Sequence, residues 1–177
     1  MDHIATELGI SKKTIYQYFS NKQDLVYKTM SHYIELEQDQ VNQIEKQSDN
    51  AIDELFNICD FICTMLRERN PSLLFDLRKY HPESWRIFLE HKHGFVYEHI
   101  VNNIKKGIKE GLFLKDFDIE VISKLYISRI ESMIDNELFP FRTFPLTHVK
   151  DEMLYYHVRG IATEKGLKHL ELMKKRA

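Results

Sequence analysis

Along nearly the whole chain, apolar residues return at steps of three and four, and no apolar–polar alternation runs long enough to make a strand. That period commits the fold to amphipathic helices packed on one another. From Leu25 the series Val26, Met30, Tyr33, Ile34, Glu37, Val41 and Ile44 predicts one helix of about 20 residues. After the polar stretch 47–50, with Asp49 or Asn50 as N-cap, Ile52, Leu55, Phe56, Cys59, Ile62, Cys63 and Leu66 form a second stripe. Ile58, Phe61 and Met65 occupy the other side of that helix, so it is apolar on two faces and belongs between layers.

Glycine and proline number only ten in 177 residues, about half of average usage, so each break carries weight. Asn70-Pro71 ends the double-faced helix, Pro71 opens a shorter one through Tyr80, and His81-Pro82 stops that in turn. A helix from near Glu83 carries Trp85, Phe88, Leu89, Val96, Ile100, Ile104 and Ile108, with Gly94 as a kink or break and Gly111 as C-cap. Asp116, Asp118 and Glu120 suit the positive end of the next helix, whose stripe is Ile122, Leu125, Tyr126, Ile130, Met133, Ile134 and Leu138. Pro140 and Pro145 enclose a loop, and Leu146 to Lys175 reads as one long helix or two, with Gly160 and Gly166 as interruptions. The fold class is all-α.

Charge and composition exclude several classes. A net charge of −2 rules out a global field for nucleic acid or an anionic membrane, so any basic surface is local. The most apolar helix is interrupted by Asp60, leaving no membrane span, and the N-terminus lacks a basic-then-apolar leader, which points to the cytoplasm. Cys59 and Cys63 stand four apart on an apolar helical face, where disulfide geometry is poor, and read as reduced core residues.

The first 25 residues are built differently. Ile4, Ala5 and Leu8 make the inner face of a short helix, Gly9 supplies the positive φ that ends it, and Ile10 plugs the turn. Ser11 caps a second helix that Ile15 and Phe19 bring back onto the same core, the spacing of a helix-turn-helix. Outside stand Lys12, Lys13, Thr14, Tyr16, Gln17 and Tyr18, rich in groups that bond phosphates and base edges. From Ser11 to Lys22 there is no acid, and the window carries +3 in a chain of net −2. Spacing alone leaves two readings, a DNA-reading motif or a helical hairpin whose lysines are merely solvated.

The run IATELGISKKTIYQYFSNKQDL closely resembles the DNA-binding region of the TetR family of bacterial transcriptional regulators, with its IA, LG, S-K, T-x-Y, Y-F and K-x-x-L order. The resemblance covers roughly residues 1–28, which divides the chain into a DNA-binding region at 1–28 and a helical ligand-binding and dimerisation domain at 29–177. It implies a homodimeric repressor or activator on a double-stranded DNA operator, whose small-molecule effector changes the spacing of two heads. Lys12, Thr14 and Gln17 match positions that reach base edges or nearby phosphates, and Tyr16, Tyr18 and Lys22 match phosphate contacts. Family members carry a further helix before this motif, whereas here Met1 immediately precedes Asp2. The expectation is a head without that helix, and weak DNA binding by residues 1–177 alone. A helical ligand-binding or protein-interaction module without DNA binding is the alternative.

Other chemistries find no support in the residues. A ferritin-like centre needs two Glu-x-x-His pairs and only Glu90 to His93 fits; H-E-x-x-H and a phosphate-cradling glycine loop do not occur. His91 and His93 point to different sides of a helix and read as solvated. No nucleophile, base and orienting partner form a recognisable set, so neither an enzyme nor a bound cofactor is expected. For an effector, the candidate lining is Phe56, Phe61, Met65, Phe75, Trp85, Phe88, Tyr126 and Met133. Arg129, in phase with Tyr126 and Met133, pairs with an internal acid or holds a ligand's anionic end. The stripes on Asp118 to Leu138 and Leu146 to Lys175 fit a four-helix contact between two copies.

Overall fold

A computed structural model describes residues 1–67, 73–133 and 135–175, giving the backbone alone at Arg67. Ten α-helices appear among the described residues. They are α1 Asp2–Glu7, α2 Lys12–Tyr18, α3 Lys22–Gln47, α4 Ala51–Arg67, α5 Leu73–Tyr80, α6 Pro82–His91, α7 Tyr97–Lys109, α8 Ile119–Met133, α9 Leu146–Ile161 and α10 Glu164–Lys174. A π-helical turn, Lys92–Val96, joins α6 to α7 where the sequence places Gly94. The expected helix ends at Asn70-Pro71, the start at Pro71 and the stripe position Ile134 lie outside the described residues.

Side-chain caps set most helix starts. Asn21 Oδ1 accepts from the Asp24 amide at 2.9 Å while Asp24 Oδ2 accepts from the Ser20 amide at 2.8 Å, a reciprocal cap that lets α3 begin at Lys22. The helix is therefore 26 residues long, beyond the 20 expected, and runs unbroken through the 28/29 boundary. Asn50 Oδ1 takes the amides of Ile52 and Asp53, and Glu110 Oε2 takes that of Ala51 at 2.9 Å, so α4 is capped from two places. Asp118 Oδ1 caps α8 through the Val121 amide. Pro82 opens α6 at its first turn, where a missing N–H costs nothing.

The double-faced α4 packs against α3, α7 and α9. Ala51, Ile52, Leu55, Phe56 and Cys59 enter the main core with Ile100 and Ile104 of α7, Tyr126 and Ile127 of α8, and Leu154 and Val158 of α9. Ile52, Leu154 and Val158 are fully buried, each contributing roughly 1.5–3 kcal/mol of transfer free energy.

The C-terminal break falls at Ala162-Thr163, not at either glycine. Ala162 is extended, Thr163 caps α10 through the Gly166 amide, and its own amide donates to the Leu112 carbonyl at 2.9 Å. Leu114 returns a bond to Ile161 at 2.7 Å, so the α7–α8 and α9–α10 corners are stitched together by a single bridge. Gly160 lies inside α9 with open space around it. Gly166 is required by closeness: a Cβ there would strike the Leu112 carbonyl, as one at Gly107 would strike the Phe113 ring.

Candidate functional site

In the head, Gly9 takes φ +63 and turns the chain between α1 and α2, and Ser11 Oγ accepts from the Thr14 amide at 3.0 Å. Ala5 and Ile15, 7% and 3% exposed, are the buried residues of α1 and α2. The expected inner residue Leu8 and the turn plug Ile10 stand in solvent. On the outer side of α2, Lys12, Lys13, Tyr16, Gln17 and Tyr18 are exposed, as is Lys22 at the start of α3; Thr14 is half-buried, its hydroxyl 2.8 Å from Ser11 Oγ. Lys12 Nζ meets Asp2 at 2.5 Å, which holds the Asp2 carboxyl below its usual range. Lys28 spans the junction, donating to the Tyr18 carbonyl at 3.3 Å and to Asp24 at 3.1 Å.

Inside the body lies a cavity of about 430 Å³, walled by α3, α4, α5, α6, the π-turn, α7 and α8. Trp85, Phe88, Tyr126 and Met133 of the candidate set line it. The other candidates sit elsewhere. Phe56 packs on Tyr155 with ring centroids 5.4 Å apart, on the far side of α4. Phe61 is off the lining, and Met65 Sδ receives the Tyr33 hydroxyl at 3.7 Å from outside it. Phe75 is mostly exposed beneath Lys79, since Leu73, Leu74 and Leu77 take the inner face of α5. Arg129 turns outward and lies 4.7 Å over the Tyr156 ring, where it reaches neither an internal acid nor the cavity.

The comparisons with known proteins bear on both parts. The family model for bacterial regulatory proteins of the tetR family matches residues 1–27. Residues 1–27 are TetR-like. Over 151 residues the TetR-like chain is 27% identical to Uncharacterized HTH-type transcriptional regulator YvaF of Bacillus subtilis (strain 168), covering 84% of this chain and 74% of that protein. Its fold resembles a transcriptional regulator from Saccharomonospora viridis solved with choline, at TM-score 0.74 and 19% identity, over 91% of this chain and 85% of that one. It also resembles FadR of Bacillus subtilis solved with stearoyl-CoA, at TM-score 0.66 and 21% identity, over 89% and 86% of the two chains. The protein resembles TetR-family transcriptional regulators, and its described residues share their all-α fold.

The helical body holds polar groups that periodicity did not reveal. His91 is buried, contrary to the solvated reading: its Nε2 lies 3.0 Å from Glu37 Oε1 and its Nδ1 3.3 Å from Gln38 Nε2. His93 is exposed. Glu54, 2% exposed, accepts from Asn103 Nδ2 at 2.9 Å and Lys106 Nζ at 2.6 Å. Burial pulls the Lys106 ammonium down, but the Glu54 carboxylate outweighs it and the net shift is upward. Cys59 Sγ, on the cavity wall, is 3.1 Å from Tyr126 Oη; burial pushes the thiol up to about 12, so it stays protonated. No helix among the described residues is long and apolar enough to cross a membrane, and none of their His, Cys, Asp and Glu groups gather as a metal site.

Proposed function

We propose that the protein is a ligand-responsive dimeric repressor, reading a pseudo-palindromic double-stranded operator with α2 and taking a small molecule into the body. The observation that carries this is that one helix serves both ends. α3 begins at Lys22 beside the exposed face of α2, and fifteen residues on it presents Glu37 to the cavity, with Met30, Tyr33 and Val41 on the same stripe. A molecule that prefers one packing of α3 against α6 therefore favours one placement of the head.

On α2, Lys12, Thr14 and Gln17 serve base edges or adjoining phosphates, while Lys13, Tyr16, Tyr18 and Lys22 serve the backbone. Dimerisation uses α8 and α9, where Val121, Leu125 and Tyr156 leave large apolar surfaces in solvent and Arg129 stacks on Tyr156. The choline and stearoyl-CoA complexes of the two structural neighbours support a body that receives organic ligands.

Selection of duplexes from a random pool at low salt, by residues 1–177 preceded by the further helix that family members carry, tests the reading. The expected result is an enriched two-fold site whose affinity falls steeply with salt; recovery of no sequence overturns it. Sedimentation gives the second check, and a monomer at micromolar concentration removes the dimer.

A further inference from the structure

The cavity reading leaves open what kind of molecule enters, and the polar groups in its wall decide. Most are already engaged. Glu54 spends both oxygens on Asn103 and Lys106, Lys92 is held by Glu131, His99 Nε2 lies 3.2 Å from Asn42 Oδ1, and Asp135 Oδ1 takes the amides of Glu137 and Leu138.

Glu37 differs. Its side chain is 13% exposed, one oxygen meets His91, and the other makes no hydrogen bond among the described residues. His91 is itself held from its other side, Nδ1 lying 3.3 Å from Gln38 Nε2, so it fixes the orientation of one carboxylate oxygen. The second oxygen is left facing a mostly apolar chamber, an arrangement that favours a cation from outside the chain. Aromatic faces complete the site. Trp85 and Phe88 stack at 5.2 Å, Phe95 stacks on His91 at 5.4 Å, and Tyr33 stands one turn before Glu37; all line the same cavity. An anionic ligand meets the opposite: among the described lining residues the one lysine, Lys92, is committed to Glu131.

We propose that the effector is a lipophilic cation, an amine or quaternary onium group on an apolar skeleton, its charge set between Glu37 and the faces of Trp85, Phe88 and Phe95. This rests on the cavity being the effector site, and the test separates the two. Trp85 is the only tryptophan of the chain and lines the cavity, so its fluorescence reports entry directly. The 177-residue protein is titrated with tetraphenylphosphonium and with tetraphenylborate, which match in shape and differ in the sign of charge. The phosphonium binds at least tenfold tighter, and Glu37→Gln removes most of that preference while Glu37→Asp keeps part of it. Equal or tighter saturable binding of the borate by the unaltered protein overturns the cation and leaves the cavity reading standing. Binding of neither ion overturns both. The comparison on the unaltered protein needs no variant to fold.

Discussion

Gln23, in the first turn of α3, grips the α5–α6 corner: its Nε2 donates to the Tyr80 carbonyl at 3.1 Å, and its Oε1 lies 2.5 Å from His81 Nδ1. The oxygen can only accept, so the His81 proton is on Nδ1. Burial and the nearby Lys22 charge lower the pKa of His81, keeping the ring neutral. The base of the head is thereby fastened to the two helices that supply Leu77, Trp85 and Phe88 to the cavity.

Gln23→Ala cuts this fastening while leaving the cavity wall in place. Ligand affinity, read by Trp85 fluorescence, should change less than threefold. The ligand-induced loss of operator affinity should shrink by about fivefold or more, consistent with a coupling of roughly 1–3 kcal/mol carried partly through this contact. Equal losses in both measurements would point to general unfolding.

On α2 the expected effects divide by contact type. Tyr16→Ala or Lys22→Ala should weaken all DNA sequences alike, and removing the Lys22 charge should reduce the salt slope by about one unit. Gln17→Ala should instead relax preference at a single base position, by roughly 1–3 kcal/mol where the contact is bidentate. Parallel binding titrations on single-base operator variants at two salt concentrations distinguish the patterns.

His157 makes the fold acid-sensitive. It is 5% exposed against the Tyr126 ring, and burial, with Arg129 adding a like charge, pulls its pKa down to about 4. Because the folded value lies below the unfolded one of about 6.5, the unfolded chain binds the proton first. Stability is therefore intact above pH 6.5 and falls as the pH drops toward 4, by roughly 3 kcal/mol in all for a shift of this size. His157→Gln should flatten that part of the pH–stability curve measured by urea unfolding; an unchanged curve would reject the assignment.

Gly107→Ala and Gly166→Ala place a methyl group against the Phe113 ring and the Leu112 carbonyl respectively. Phe113 is 2% exposed and has little room to move. Each substitution should cost roughly 1–3 kcal/mol, and the melting temperature should fall about 2–4 °C per kcal/mol. Gly160→Ala, in the last turn of α9 with nothing within 4 Å, should stabilise by about 0.5 kcal/mol.

These glycines also mark where reading the chain alone stops. Gly9 and Ser11 announce their roles locally, since a positive φ and a cap concern neighbours within a few positions, and the helix-turn-helix was legible for that reason. The break at Thr163 was misplaced because its partners are the carbonyls of Gly111 and Leu112, about fifty residues earlier. His91 was read as solvated because Glu37 and Gln38 reach it across the α3–α6 contact. Phe88 and Phe75 are equally apolar in sequence, yet only the inner face of each short helix sees the cavity, and that face is set by how α5 and α6 dock. Arg129 had the right phase for the interior but found the Tyr156 ring, which satisfies a guanidinium without desolvating it fully.

In the ligand-responsive dimer proposed above, the uninterrupted length of α3 would serve as a mechanical lever. Twenty-six residues at 1.5 Å each make a rod of about 39 Å, with Glu37 some 22 Å from the Lys22 end. A tilt of about 5° pivoting near Glu37 sweeps Lys22 and the attached head through roughly 2 Å, and two such rods moving apart in a symmetric pair separate the heads by about 4 Å. Half-sites one turn apart stand about 34 Å from each other, so a displacement of that size is enough to spoil simultaneous seating in successive major grooves. The gain of the device is fixed by helix length, and a residue inserted between Gln23 and Met30 would change both the reach of the arm and, through about 100° of rotation, the direction in which the head swings.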